Sequence, residues 1–229
     1  MRIFERVENN KVSKEIHERF SKVEPATVGH HLHYGFMDPR IKSMLQNVNV
    51  VGTAFTVRTS VNDSTMVHKA VSLAREGDFL VIDRTGDVKH ACVGEIVAYA
   101  ANVRKLAGII IDGPCTDIQA LREIGLPVFA TGLSPITTKL YGQSGEINTI
   151  IQCGGVTVHP GDLIVADDNG VLVLAQDLDY EEILRKTEAS EQSEPRTKGL
   201  LDGGQVLSSI TRADQLIDEY RLREGSVVK

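Results

Sequence analysis

The centre of the chain alternates two helix patterns with two short apolar strands, and this alternation limits the possible folds more than any other feature. Gly94 to Leu106 is an Ala-rich helix pattern, and Gly108-Ile109-Ile110-Ile111 reads as a strand. Asp117 to Ile124 is a second, short helix, and Pro127-Val128-Phe129-Ala130 a further strand. Strands that alternate with helices in this way form a parallel sheet whose faces the helices cover. Upstream, Val48 to Val57 reads as a strand and Met66 to Glu76 as a helix ending at Gly77. Phe79-Leu80-Val81-Ile82, bracketed by Asp78 and Asp83, reads as a buried strand.

Beyond Val156 the pattern changes to hairpins. Val156-Thr157-Val158, a His159-Pro160-Gly161-Asp162 turn and Leu163-Ile164-Val165-Ala166 come first, followed by an Asp167-Asp168-Asn169-Gly170 turn and Val171-Leu172-Val173-Leu174. The expected class is therefore α/β with a mixed sheet layer. Val12 to Phe20 is a polar helix pattern, and Glu24 to Gly29 a loop leading to His30, His31 and His33. Helices from Tyr180 to Glu191 and Ala213 to Arg223 close the chain, with a polar link at Ser193-Glu194-Pro195. With 41% hydrophobic residues, the chain can bury one full core. A single domain over 1–229 is expected, with 196–229 a C-terminal helical extension.

Charge and cysteine usage exclude several functions. A formal net charge of −6 supplies no basic face for a phosphate backbone, and the absence of Trp removes stacking platforms, so no nucleic-acid partner is expected. No apolar run approaches the roughly 18 residues of a membrane span, and charged residues in the first positions, Arg2 to Glu8, do not resemble a signal peptide. No membrane partner is expected, and a cytoplasmic location is. Cys92, Cys115 and Cys153 are odd in number and contain no CxxC pair, so neither a disulfide framework nor a zinc ribbon fits.

Two helix starts carry the candidate chemistry, because first-turn N–H groups attract anions and can hold a developing enolate. One is Gly94-Glu95-Ile96-Val97, where Gly94 admits close approach and Glu95 adds a carboxylate; Glu95 could equally complement the helix dipole. The other is Asp112-Gly113-Pro114-Cys115-Thr116-Asp117, just after a strand, where ligand sites of α/β proteins lie. Asp117 suits a hard cation such as Mg²⁺, which takes few carboxylates and keeps several waters. The competing reading is a capping box, with Thr116 as N-cap and Gln119 three residues on. Asp167 to Gly170 fits a type I′ hairpin better than a calcium loop, His159 reads as structural, and the His30, His31, His33 group matches neither a zinc finger nor HExxH. Cys115 reads as a spectator thiol. No Walker loop, GxGxxG or GxSxG is present.

In order along the chain, Gly94-Glu95-Ile96-Val97, Asp112-Gly113 with Asp117, and the His159-Pro160-Gly161-Asp162 and Ala166 to Val171 turns resemble the RraA-like family. That family includes the 4-hydroxy-4-methyl-2-oxoglutarate/4-carboxy-4-hydroxy-2-oxoadipate aldolases and the regulator of RNase E activity. The resemblance covers about residues 25 to 200 and implies an α/β/β/α sandwich, assembled as a homotrimer or homohexamer with sites at subunit interfaces. It also implies divalent-metal-dependent C–C lyase chemistry, retro-aldol cleavage or decarboxylation, on a small 2-oxo or hydroxy acid with Mg²⁺ or Mn²⁺. In the aldolases an acidic residue precedes an Arg-Asp pair, and the interval of 21 positions from Glu95 to Thr116 matches. By that match Glu95 and Asp117 are catalytic, Asp117 is the metal ligand, and Gly94, Glu95, Ile96, Val97 and Thr116 bind substrate.

Thr116 stands where the family has its arginine, and it cannot grip a carboxylate bidentately. Arg84, Lys89 and His90 are the nearest replacement cations in sequence. A neighbouring subunit's acid, placed near the C-terminal helix in the family, corresponds to Glu191 or Glu194. A changed substrate, a lyase or hydro-lyase on another oxo or hydroxy acid, and a non-catalytic binding protein docking on an RNase all remain compatible with Thr116.

Overall fold

The computed structural model describes residues 1–225. The chain forms two compact units that meet in sequence at Leu184 and Arg185. The first contains β1 (Arg2–Ile3), α1 (Lys14–Phe20), α2 (Pro25–Val28), β2 (Lys42–Ser43), β3 (Asn49–Arg58), α3 (Thr65–Leu73) and β4 (Asp78–Asp83). It continues through α4 (Glu95–Val103), β5 (Gly108–Ile111), α5 (Ile118–Ile124), β6 (Val128–Ala130), β7 (Glu146–Ile147), β8 (Ile151–Cys153), β9 (Val156–Val158), β10 (Leu163–Asp167) and β11 (Gly170–Leu174). The long α6 (Tyr180–Asp202) begins in the first unit, and α7 (Leu207–Ile210) and α8 (Ala213–Gly225) belong to the second.

Strands β3, β4, β5 and β6 run parallel, as the central alternation requires. Antiparallel β7 and β2 flank them, and β10 pairs antiparallel with both β3 and β11. The sheet is thus mixed. Alternate side chains then sort into layers. Leu80, Ile82, Ile109, Ile111, Val128 and Ala130 pack with α3, α4 and α5 residues such as Met66, Ala98 and Leu121. Phe79, Val81, Ile110 and Phe129 point the other way, against Ile164, Ala166, Val171 and Val173 of β10 and β11. The outer faces of β10 and β11, through Leu163, Val165, Leu172 and Leu174, meet Ile16, Phe20, Val28 and Tyr180 of α1, α2 and α6. This order of helix, sheet, sheet, helix is the expected α/β/β/α sandwich.

Four local expectations are corrected. Glu24 to Gly29 is not all loop: Pro25 opens α2, since a proline at the first helical position loses an N–H that has no intrahelical acceptor anyway. The polar stretch around Pro195 does not separate one helix from another but lies inside α6, where the proline removes one ladder donor without ending the helix. Strand β9 pairs with β8 rather than β10, so the His159 to Asp162 turn passes between sheets. Finally, the β10–β11 turn is not type I′, because neither Asp168 nor Asn169 has a positive φ. The Asp167 carboxylate holds it instead, accepting N–H bonds from Asn169 at 2.8 Å and Gly170 at 3.2 Å. Among the described residues no helix is long and apolar enough to cross a membrane.

Candidate functional site

The loops after β4 and β5 leave the same end of the parallel sheet and are stitched together where the Thr116 N–H donates to the Val93 carbonyl at 3.0 Å. Gly94 then opens α4 and Asp117 opens α5. Asp117 adopts a left-handed conformation, φ 57° and ψ 42°, which costs a non-glycine residue roughly 1–2 kcal/mol. That turn aims its carboxylate away from its own helix. Asp117 Oδ2 accepts the Glu95 N–H at 3.0 Å, and Oδ1 accepts the Thr116 hydroxyl at 3.3 Å.

The expected capping box is therefore absent. Asp117, not Thr116, is the N-cap residue of α5, and its side chain makes no cap bond to that helix. The carboxylate instead satisfies one of the unpaired first-turn donors of α4 and complements the positive end of its dipole. Gly94 makes this possible. A Cβ there would stand 2.4 Å from Asp117 Oδ2 and 2.7 Å from Thr116 Cγ2, although its backbone, at φ −143°, would accept any residue.

Glu95 and Asp117 both line an open groove of about 550 Å³, together with Ile118, Gln119, Ala120 and Glu123 of α5. Ile96 is 72% exposed, whereas Val97 is buried in the core beneath α4. Any contact that Val97 makes with a ligand is therefore through its backbone N–H. Gln119 and Glu123 were not singled out in the sequence as groove residues; their spacing of one helical turn is the signal that places them on one face.

Of the candidate cations, Arg84 is unavailable. It is fully buried, pairs with Asp87 at 2.8 Å, and donates to the carbonyls of Val61 at 2.5 Å and His90 at 3.2 Å. Gly113 makes room for it, since a Cβ there would meet Arg84 Cγ at 2.8 Å. His90 is half-buried, with Nδ1 on the same Asp87 carboxylate at 3.1 Å. Lys89 is exposed, and among the described residues it forms no ion pair. Asp112 faces elsewhere, bound to Arg40 at 2.7 Å and to the Gly154 N–H at 3.0 Å.

The remaining sequence candidates do not join the groove. Burial pushes the Cys115 thiol up to about 11, far from a reactive thiolate. Asp168 accepts the N–H groups of Asn47 and Val48, so it serves a loop rather than an ion. Among the described residues no three His, Cys, Asp or Glu side chains cluster to hold a metal, and His30 and His31 simply meet edge to face at 6.3 Å.

A four-layer sandwich with carboxylates gathered at two adjoining helix starts, beyond the ends of its parallel strands, defines the class of this protein. The chain belongs to the RraA-like family: residues 22–173 match the family described as Aldolase/RraA. A relative from Halalkalibacterium halodurans, named "Putative 4-hydroxy-4-methyl-2-oxoglutarate aldolase", is 37% identical over 163 residues, covering 71% of this chain and 77% of its own. The crystal structure of Streptomyces coelicolor RraAS2, described as an unusual member of the RNase ES inhibitor RraA family, superposes with a TM-score of 0.72 at 26% identity. That match covers 85% of this chain and 98% of the other. An uncharacterized Pseudomonas syringae protein shares the fold, with a TM-score of 0.76 at 23% identity over 92% of this chain and 97% of its own.

Proposed function

We propose that this chain is a divalent-metal-dependent C–C lyase that cleaves or decarboxylates a small 2-oxo or hydroxy acid in the groove at Glu95 and Asp117. The observation that carries the reading is the Asp117 carboxylate, fixed against the Glu95 N–H and Thr116 hydroxyl in a space that only glycine at 94 leaves open. Aldolase names among the relatives support the reaction class.

The residues present fit Mg²⁺ or Mn²⁺. Each Asp117 oxygen accepts one hydrogen bond and keeps a further lone pair, and Glu95 brings a second carboxylate to the same groove. One or two carboxylates with a mainly aqueous shell suit Mg²⁺. Asp117 would hold the ion, which when bound supplies Lewis acidity toward the substrate's keto oxygen.

The protein's own groups supply the rest. Because the Glu95 N–H is committed to Asp117, the Ile96 and Val97 N–H groups are the first-turn donors of α4 left to receive a substrate carboxylate. Glu95 is exposed to the groove and positioned to hold a water and pass a proton to the product carbon. Thr116 contributes a hydroxyl and no charge, so substrate is held less firmly than by an arginine.

We further infer that the chain assembles into a homotrimer or homohexamer. Ile96, Tyr99 and Val103 form an apolar stripe on α4 that is 72%, 59% and 65% exposed, immediately beside the groove. Contiguous exposed apolar surface of this kind marks association.

The test is pyruvate release from oxaloacetate with Mg²⁺ or Mn²⁺, with and without EDTA. Turnover abolished by EDTA supports the lyase; no turnover at saturating metal favours an RNase-docking regulator on the same scaffold.

A further inference from the structure

A second recess lies beside the His159 to Asp162 turn, where the segment between β1 and α1 meets it through Val7 and Asn9. The turn is pinned to β3, with Gly161 N–H on the Ala54 carbonyl and Ala54 N–H on the Asp162 carbonyl, both at 2.8 Å. The recess is open to solvent and has a volume of about 540 Å³, within the usual range for small-molecule sites. Val7, Ile150, Pro160 and Ala175 give it apolar walls, and Val7 and Ile150 remain 44% and 52% exposed.

Its polar groups are mostly acceptors. One N–H of Asn148 is committed to the Phe4 carbonyl at 3.3 Å, and one of Gln176 to the Pro160 carbonyl at 2.8 Å, so each amide keeps its oxygen and one further N–H. Asp162 is 1% exposed and accepts the His159 N–H at 2.8 Å. Its burial raises the carboxyl from its ordinary value. His159 Nδ1 lies 3.6 Å from the same carboxylate oxygen. The exposed Asp177 carboxylate completes the lining, and among the described residues it forms no ion pair.

We propose that this recess is a binding site for a small organic ammonium ligand with an apolar body. Apolar walls receive the body, while the exposed Asp177 carboxylate, with the Asn148 and Gln176 side-chain oxygens in the same lining, accepts from an ammonium head group. An anion of the same shape meets Asp162 and Asp177, and no Lys or Arg lines the recess. The site is independent of the Asp117 groove and of the reaction proposed there.

Benzylammonium chloride, titrated into the 229-residue chain and followed by amide chemical shifts, tests the assignment, with benzoate and benzyl alcohol as shape-matched controls. Shifts centred on Ile150, His159 and Asp177, with binding at least about tenfold tighter than that of either control, are expected. Asp177→Asn, an exposed change, should weaken binding about tenfold, and Ala175→Phe should abolish it by filling the recess. Equal binding of benzoate, an unchanged affinity in both variants, or shifts centred on Glu95 and Asp117 would each overturn the proposal.

Discussion

One carboxylate oxygen of Asp117 lies 2.4 Å from the point at which a side chain on Gly94 would begin. Two helix starts from different βα units thereby share one carboxylate, and each depends on the other's residue. Gly94→Ala must displace Asp117 or α4 without straining the backbone, since φ at 94 is −143°. Overpacking of this kind costs about 1–3 kcal/mol. The midpoint of denaturant unfolding should fall accordingly, and Mg²⁺ affinity by calorimetry should fall with it; an unchanged protein would mean that the groove tolerates a methyl group and Gly94 has no role in placing Asp117.

Replacing Asp117 separates its two proposed roles. Asp117→Ala removes the acceptor for the Glu95 N–H and should cost about 1 kcal/mol, the usual value of a helix cap. Asp117→Asn keeps an oxygen for that bond and should retain most of the stability. Both should lose Mg²⁺ binding by calorimetry, because an amide is a poor substitute for a charged ligand of a hard cation. If the Asn variant binds Mg²⁺ as well as the native chain does, the ion is held elsewhere.

Acid should weaken the fold through Asp63. Burial opposes its ionisation, but the Thr65 hydroxyl and the N–H groups of Gln143, Thr65 and Tyr141 outweigh it, holding the carboxyl well below the usual range. A carboxyl depressed in the folded state contributes stability in full above its unfolded value, near pH 4, and loses it as the pH falls toward the folded value. Asp63→Asn should therefore be less stable at pH 7 and show a flatter decline between pH 4 and 2. Parallel urea midpoints for both proteins across that range would contradict this.

Assembly can be tested on the α4 stripe. Light scattering at micromolar concentration should give three or six times the chain mass, and Tyr99→Glu, an exposed change, should lower it. A monomeric native chain would remove the proposed interface.

The parallel strands and their helices were legible in the sequence because their signals are local, with Phe79 to Ile82 and Ile109 to Ile111 reading as short buried apolar runs, whereas the sandwich of layers came from the family resemblance. Glu95 and Asp117 were singled out as carboxylates at two helix starts, and their roles were assigned through the family resemblance. What the local signals did not carry was the direction of the Asp117 side chain. The string Thr116 to Gln119 satisfies a capping-box pattern, and only the left-handed turn at 117, together with a partner N–H 22 residues away, redirects the carboxylate to another helix. The hairpin at Asp168-Asn169 failed similarly: the residues suited a type I′ turn, but the Asp167 carboxylate stabilises a different one. Both misreadings concern side chains that bond to backbone, where one residue pattern serves several geometries.

Thr116 tests how far the chemistry of the family extends to this chain. Its methyl group faces Gly94 and its hydroxyl rests on Asp117, so it braces the Asp117 carboxylate without adding charge. The native protein should decarboxylate oxaloacetate weakly, because one charge-assisted, two-pronged hold on substrate is missing. Such bonds are worth roughly 1.5–3 kcal/mol, which corresponds to a deficit on the order of ten- to a few-hundredfold in rate. Thr116→Arg should recover some of that deficit in kcat/KM, and the gain should vanish with EDTA. The new guanidinium can also turn onto Asp117 itself and compete with the ion. That alternative has its own signature: Mg²⁺ affinity would drop by calorimetry while pyruvate formation stayed flat. Enhanced turnover with Mg²⁺ affinity retained would place residue 116 on the substrate carboxylate. If neither form releases pyruvate at saturating Mg²⁺ or Mn²⁺, the chain is not a lyase of the pyruvate type, and the docking reading takes its place.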